Sequence, residues 1–339
     1  MKVTMQDIAD KLNISKSLVS RALSDKYGVS DRMRTKIRLT AVEMGYKAPK
    51  PRKSTPKKDP KATFTISILL RRDIFADTTF YHEMLNGIES AVREKNMLLT
   101  LTIVEDSDTS IISPRNIQSD GVIVLGLMTV QNVAALMATG KAIVLLDTFN
   151  PSYKVDRISA NNFDGCYRAT DYILERGHRR VCFVGDIGYS FSFINRRNGF
   201  KARVSEESDG LLVREVIGPR EFEDSPFCIA QLREALSADN RPSALICAND
   251  AVAAKVYNVA REMGLSIPDD ISIIGFDNNA RSAALTPGLT TLNVPKTAMG
   301  RLAVERLLEQ MARQRDYVEY TQLDVNLVER ESVAYYRDG

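Results

Sequence analysis

The chain has 339 residues, 44% of them hydrophobic and 26% charged, with a net charge of +3. That balance fits a soluble globular protein of two or three domains. No apolar run approaches the roughly 18 residues of a membrane helix, and the polar opening MKVTMQDIAD does not read as a signal peptide, so a cytoplasmic protein is expected.

The charge is unevenly placed. Residues 1–61 hold 16 Lys/Arg against 6 Asp/Glu, and the remaining 278 hold 30 against 37. A basic head on an acidic body fits a separate nucleic-acid module, because phosphate neutralisation drives such binding. A solvated basic tail has the same composition. Within residues 1–46 three short helices are expected. Thr4 and Asp7 have capping-box spacing, and Ile8, Ala9 and Leu12 follow on one face. Asn13-Ile14 makes the turn, and Ser15 is placed to cap a second helix with Leu18, Val19, Ala22 and Leu23 inward. The polar loop SDKYGV leads to a third helix, capped by Ser30, carrying Met33, Ile37, Ala41 and Met44 and stopped by Gly45.

A tight turn between the first two of three short helices makes a helix-turn-helix. Its second helix offers N-terminal residues to base edges in the major groove, here Lys16, Ser17 and, one turn on, Arg21. Lys and Arg donate to guanine O6 and N7, and Ser pairs with either kind of partner. A small structural bundle with polar residues facing water has the same spacing. The stretch resembles the DNA-binding head of the LacI/GalR family of bacterial transcriptional regulators, and SKSLVSRAL follows its recognition-helix pattern closely. The resemblance implies that Lys16, Ser17 and Arg21 read bases while Thr4, Ser15 and Ser20 sit against phosphates. Residues 47–61, KAPKPRKSTPKKDPK, depart from that pattern. Four prolines deny the segment an ordinary helix, whereas the resembled family usually forms a hinge helix here, with a Leu wedge that opens the minor groove. Seven Lys/Arg suit a linker that tracks phosphates; a plain tether is the alternative.

From residue 63 apolar runs alternate with helices. TISILL, LLTLTIV, DGVIVLG, AIVLLD, VCFVGD, REVI, SALICAN and ISIIGFD read as buried strands. Helices are expected at 80–95, 130–139, 163–176, 194–207, 226–237 and 250–263. Alternation of this kind implies parallel sheets, and two such series imply two doubly wound lobes. GxGxxG after a strand, GxxxxGK[ST] and GxSxG are all missing, which argues against a dinucleotide enzyme, a P-loop NTPase and an α/β-hydrolase. Four scattered cysteines (Cys166, Cys182, Cys228, Cys247) read as reduced core thiols. With two distant histidines, His82 and His178, they offer little material for a zinc site or a His-based triad. No metal, cofactor or catalysis is expected.

SDGVIVLG, ERGHRRVCFVGD, RRNGF, PSALICAND, GLSIPDDISIIGFDN, LTPGLTTLNVP and LVERES resemble the periplasmic-binding-protein-like sensor of the same family, from residue 64 to about 333. The expected fold is therefore an N-terminal all-α helix-turn-helix head (1–46), a basic Pro-rich linker (47–61) and an α/β sensor of two doubly wound parallel-sheet lobes (62–339). The resemblance implies lobes that are not sequential: about 62–160 with 293–323, and about 161–292 with 324–339.

Ligands of such sheets bind outside the carboxyl ends of the strands. Asp277 ends ISIIGFD and Asp147 ends AIVLLD; a carboxylate there accepts hydroxyl donors. Asn249 ends SALICAN and offers both donor and acceptor, while Asp250 beside it is read as the cap of the following helix. Arg196 matches the family's ligand-contacting Arg, and Phe80 and Tyr81 match its aromatic position, with core packing the alternative for either ring. Arg71 either points inward, implying an anionic effector, or forms a rim pair with Asp73. His178, at a helix C-terminus, is read as structural. Asn161 stands where the family often shows Asp.

The expected function is a sequence-specific regulator, a repressor, held on a palindromic double-stranded operator as a homodimer and controlled by a small molecule, a sugar. A phosphosugar, sugar acid, purine or phosphoprotein partner is the alternative effector, and an enzyme with a fused DNA-binding head is the third reading. The tail RESVAYYRDG shows no heptads, which favours a dimer over a coiled-coil tetramer.

Overall fold

A computed structural model describes residues 3–23, 29–44, 46, 64–104, 117–148, 153–186, 188, 190–207, 210–218, 225–313 and 315–336. The loop at 24–28, the stop at Gly45 and the linker at 47–61 lie outside them. The chain divides into two compact units, Met1–Ala62 and Thr63–Gly339.

The first unit holds α1 (Met5–Leu12), α2 (Lys16–Leu23) and α3 (Asp31–Glu43). Thr4 and Asp7 form the capping box at α1. Asn13, at φ +52°, closes that helix in the left-handed conformation, which Asn tolerates better than most residues. The Ser15 hydroxyl accepts from Leu18 N at 3.2 Å, and that of Ser30 from Met33 N at 3.4 Å. Ile8, Ala9, Val19, Ala22, Ile37 and Ala41 make the core. The start of each helix is thus fixed by its own cap, and one small apolar cluster holds the three together.

The second unit is built on two six-stranded sheets. Sheet one contains β1 (Thr65–Arg71), β2 (Leu98–Val104), β3 (Gly121–Leu125), β4 (Ala142–Leu146), β5 (Asp156–Ala160) and β11 (Tyr320–Leu323); sheet two contains β6 (Arg180–Asp186), β7 (Leu212–Gly218), β8 (Ala244–Cys247), β9 (Ser272–Asp277), β10 (Thr290–Asn293) and β12 (Asn326–Val328). Sheet one runs β11-β5-β4-β3-β1-β2 and sheet two β12-β10-β9-β8-β6-β7. All pairings are parallel except β10 with β12. Both sheets therefore reverse direction after their first strand, between β1 and β3 and between β6 and β8. Crevices form at the carboxyl ends of such switch points.

The helices are α4 (Arg72–Ala76), α5 (Tyr81–Glu94), α6 (Val130–Met137), α7 (Asn162–Glu175), α8 (Phe191–Ser205), α9 (Pro226–Ser237), α10 (Asp250–Glu262) and α11 (Lys296–Ala312). Asn161 caps α7 by accepting from Asp164 N at 3.3 Å. The sheets are joined by three crossovers: β5 to α7, β10 to α11, and β11 to β12.

Glycines let α5 and α11 touch backbone to backbone. A Cβ on Gly300 would lie 2.2 Å from Met84 O, and one on Gly87 2.2 Å from Thr297 O. Gly300→Ala is expected to cost about 1–3 kcal/mol of stability, because overpacking forces backbone shifts. A lowered urea midpoint at unchanged slope checks this; an unchanged midpoint contradicts it.

Candidate nucleic-acid interface and inter-lobe cleft

In the first unit, α2 turns Val19 and Ala22 into the core and leaves Lys16, Ser17 and Arg21 exposed. Ser15 and Ser17 lie beside them, their hydroxyls 3.0 Å apart. Ser20 is half-buried and Thr4 is exposed at the start of α1. The Thr4 and Ser15 hydroxyls already serve as helix caps, so each has a partner before any phosphate arrives. Among the described residues, Arg21 makes one long hydrogen bond, Nε to Ser17 O at 3.4 Å.

In the second unit a cleft of about 420 Å³ opens between the carboxyl ends of the two sheets, and Phe80, Tyr81, Asp147, Arg196, Asn249 and Asp277 all line it. A larger recess of about 730 Å³ sits at the opposite end of sheet one, beside Asp120, Lys141 and Asp156. Groups from two sheets converge only in the smaller one, and convergent polar groups rather than size mark a ligand site.

Asp147 and Asp277 each stand just where a strand ends and share an uncommon backbone, φ +52° and +113°. Positive φ at a non-glycine residue is strained and persists where surrounding structure holds it. Burial, and then the nearby Asp277 charge, push the Asp147 carboxyl up to about 7, against the pull of Arg196 and a hydrogen bond from Tyr81. Burial also raises Asp277, again opposed first by Arg196.

Arg196 is 3% exposed. It pairs with Asp277 at 3.0 Å and donates to Asn162 Oδ1 at 2.8 Å and Ala248 O at 2.7 Å. Its guanidinium lies 3.8 Å from the Phe276 ring centre. It lines the cleft as a brace whose donors are largely committed to the protein.

The expected cap of α10 is corrected. Asn249, not Asp250, accepts from Val252 N, at 2.8 Å, through its Oδ1. Asp250 is instead buried, accepting from Asn279 N at 2.9 Å and from the Thr291 hydroxyl at 2.6 Å. Burial, and then Asp277, push its carboxyl up to about 7. Tyr81 is buried and Phe80 half-buried, edge to face at 5.0 Å. Tyr81 thus packs in the core with its hydroxyl bonded to Asp147, while Phe80 lines the cleft half-buried. Arg71 is not among the lining residues. It pairs with Asp73, Nε to Oδ1 at 3.0 Å, and its side chain is largely buried.

Asp77, Asp186, Ser190, Ser192, Phe193, Asn279 and Arg281 also line the cleft, beyond the residues expected there. Asp186 is legible in the sequence: it ends VCFVGD as Asp147 ends AIVLLD. Elsewhere, His178 is buried between Ser243 and Ala334, at 2.9 and 3.0 Å, and burial lowers its pKa. The four cysteines are buried and unbridged, and burial pushes Cys166 and Cys182 up to about 12. Among the described residues no group of three His, Cys, Asp or Glu is placed to hold a metal ion, and no helix is long and apolar enough to cross a membrane.

A family model described as bacterial regulatory proteins, lacI family, matches residues 4–48, the three helices of the first unit, and one for a periplasmic binding protein-like domain matches residues 170–333. The chain belongs to the lacI family. As a lacI-family protein it is a DNA-binding transcriptional regulator. It is 28% identical over 338 residues to the ribose operon repressor of Haemophilus influenzae, covering 97% of this chain and 98% of that protein. It is 26% identical over 340 residues to the HTH-type transcriptional repressor PurR of Pectobacterium carotovorum, covering 98% and 97%. The lac repressor dimer bound to operator and the anti-inducer ONPF shares the fold, with a TM-score of 0.68 at 21% identity over 98% of this chain and all of that one.

Proposed function

We propose that this lacI-family protein is a cytoplasmic, non-enzymatic repressor that binds a palindromic operator as a homodimer and is released by a neutral sugar held in the inter-lobe cleft. One observation carries the sugar reading. The two strand-end carboxylates Asp147 and Asp277 face the cleft, while the buried cation there, Arg196, is committed to Asp277, Asn162 and Ala248. Carboxylates with a ring beside them suit hydroxyl donors on an apolar-faced ligand. The names of its relatives fit a small-molecule-controlled repressor. Lys16, Ser17 and Arg21 read bases, with Thr4, Ser15 and Ser20 near phosphates. Phe80, Tyr81, Asp147, Arg196, Asn249 and Asp277 hold the effector, and Arg71 stays paired with Asp73. Closure of the cleft shifts the balance between two lobe arrangements, and only a ligand with different affinity for the two can do so.

A second reading rests on Arg281, an exposed cation lining the same cleft, which would meet a phosphosugar or sugar acid. A thermal-shift panel of neutral sugars, phosphosugars, sugar acids and purines separates the readings. A ligand at about 100 times its Kd adds about 2.7 kcal/mol, several degrees at this size. Neutral sugars are expected to give the shift. A shift confined to anionic compounds would select the second reading, and silence would overturn the small-molecule effector.

The cleft also predicts a pH dependence. With Asp147 near 7, the ionised form that accepts hydroxyl donors is the minority at pH 6 and the majority at pH 8. Apparent affinity scales with the competent fraction, so sugar affinity is expected to rise up to about ten-fold over that range. Calorimetric titrations at both values check it, and Asp147→Asn should flatten the profile. Affinity that falls towards pH 8 contradicts this role.

A further inference from the structure

Lys296 opens α11 directly after the crossover from β10 and is 1% exposed. A buried ammonium loses most of its hydration and is retained only with good partners. Here Nζ donates to the carbonyls of Asp277 at 2.7 Å and Asn278 at 3.3 Å. It also lies 3.2 Å from Glu83 Oε1 and 5.8 Å from the Phe80 ring centre. One ammonium therefore touches the end of β9 in sheet two and the first turn of α5, which packs on sheet one.

The two carbonyls belong to consecutive positive-φ residues, Asp277 at +113° and Asn278 at +48°. The next amide, Asn279 N, is held by Asp250 at 2.9 Å. The turn that aims the Asp277 carboxyl at Arg196 is thus pinned by Lys296 and Asp250 together. On the other side, Glu83 lies two residues beyond Tyr81 on the helix whose start lines the cleft. Glu83 is half-exposed and pairs with a buried cation, so the link to α5 can lengthen without burying an unpaired carboxylate.

We propose that Lys296 is a positioning residue: a strut that holds the 277–279 turn in its strained conformation and ties it through Glu83 to α5, so that displacement at Asp277 is passed from one lobe to the other. This rests on the effector reading of the cleft but concerns residues outside its lining. A cation that merely filled space would have no need of contacts on both lobes.

The test uses the full-length chain. Lys296→Met removes the charge and keeps the apolar stem, but it risks the fold; Glu83→Gln removes only the α5 arm from a half-exposed position. Amide hydrogen exchange on the ligand-free Glu83→Gln protein is expected to rise several-fold in a peptide covering 277–279 as well as at the start of α5. Faster exchange confined to α5, or none anywhere, would overturn the strut. A second arm measures binding of the same operator duplex with and without D-ribose. Glu83→Gln is expected to leave ribose affinity within about three-fold of wild type and to shrink the ratio of operator affinities by roughly 2- to 30-fold. An unchanged ratio, or lost ribose binding, would overturn it. A wild-type ratio of one rejects ribose as effector, and hydrogen exchange then decides the strut by itself.

Discussion

Arg196→Met is expected to lower the stability of the second unit by about 3–5 kcal/mol, the usual cost of removing one partner of a buried ion pair. Methionine keeps a flexible apolar stem against Phe276, so little of the loss comes from packing. Asp277, 6% exposed, would lose the cation that opposes its burial, and Asn162 and Ala248 would lose a donor. The pH dependence separates charge from volume. Burial already raises the Asp277 carboxyl and Arg196 is the largest influence opposing that rise, so in the variant it rises further. A carboxyl raised in the folded state favours folding most at low pH, below its unfolded value, and that advantage is lost as pH rises through the folded value. The deficit relative to wild type should therefore be small near pH 5 and largest near pH 8. Urea unfolding at both values measures it. A deficit equal at the two would mean that a cavity, not an orphaned carboxylate, is responsible.

Arg21→Ala should weaken operator binding by about 1–3 kcal/mol, roughly 5- to 150-fold, the scale of one bidentate contact to guanine. Arg21 is exposed on α2, so the core of Ile8, Val19 and Ile37 is untouched and the head keeps its fold. Effector binding should not change. Competition with non-specific duplex tells a base contact from a phosphate contact. Loss of a base contact erodes the preference for operator, whereas loss of a phosphate contact weakens both duplexes equally and lowers the salt slope by about one. The second pattern would remove Arg21 from the set of residues that read sequence.

The sequence exposes some of this and hides the rest for identifiable reasons. Asp147 and Asp277 are legible because each ends a largely apolar strand run, and a polar residue there stands at the mouth of a parallel sheet. The caps at Thr4, Ser15 and Ser30 are legible because capping is local. The exchange of roles between Asn249 and Asp250 is not. Both residue types cap helices, and the choice is made by Asn279 N and the Thr291 hydroxyl, 29 and 41 residues away. The short strands β10, β11 and β12 are set by pairing with distant strands rather than by their own composition. Helix α11 buries Met299, Ala303, Val304 and Leu307 at helical spacing, but Lys296 and Gly300 on the same face blur the apolar pattern. Lys296 gave no signal, since a lysine near a proline reads as solvent-facing until the fold buries it.

The most direct measurement is a titration of the full-length protein onto an operator duplex that it has itself selected from a random pool. It would be run with and without the neutral sugar that gives the largest thermal shift. A loss of operator affinity of roughly 5- to 150-fold is expected, with operator weakening the sugar by the same factor, because coupling between two sites is reciprocal. A sugar that binds through Asp147 and Asp277 yet leaves operator affinity unchanged would contradict control of the DNA-binding head from the cleft.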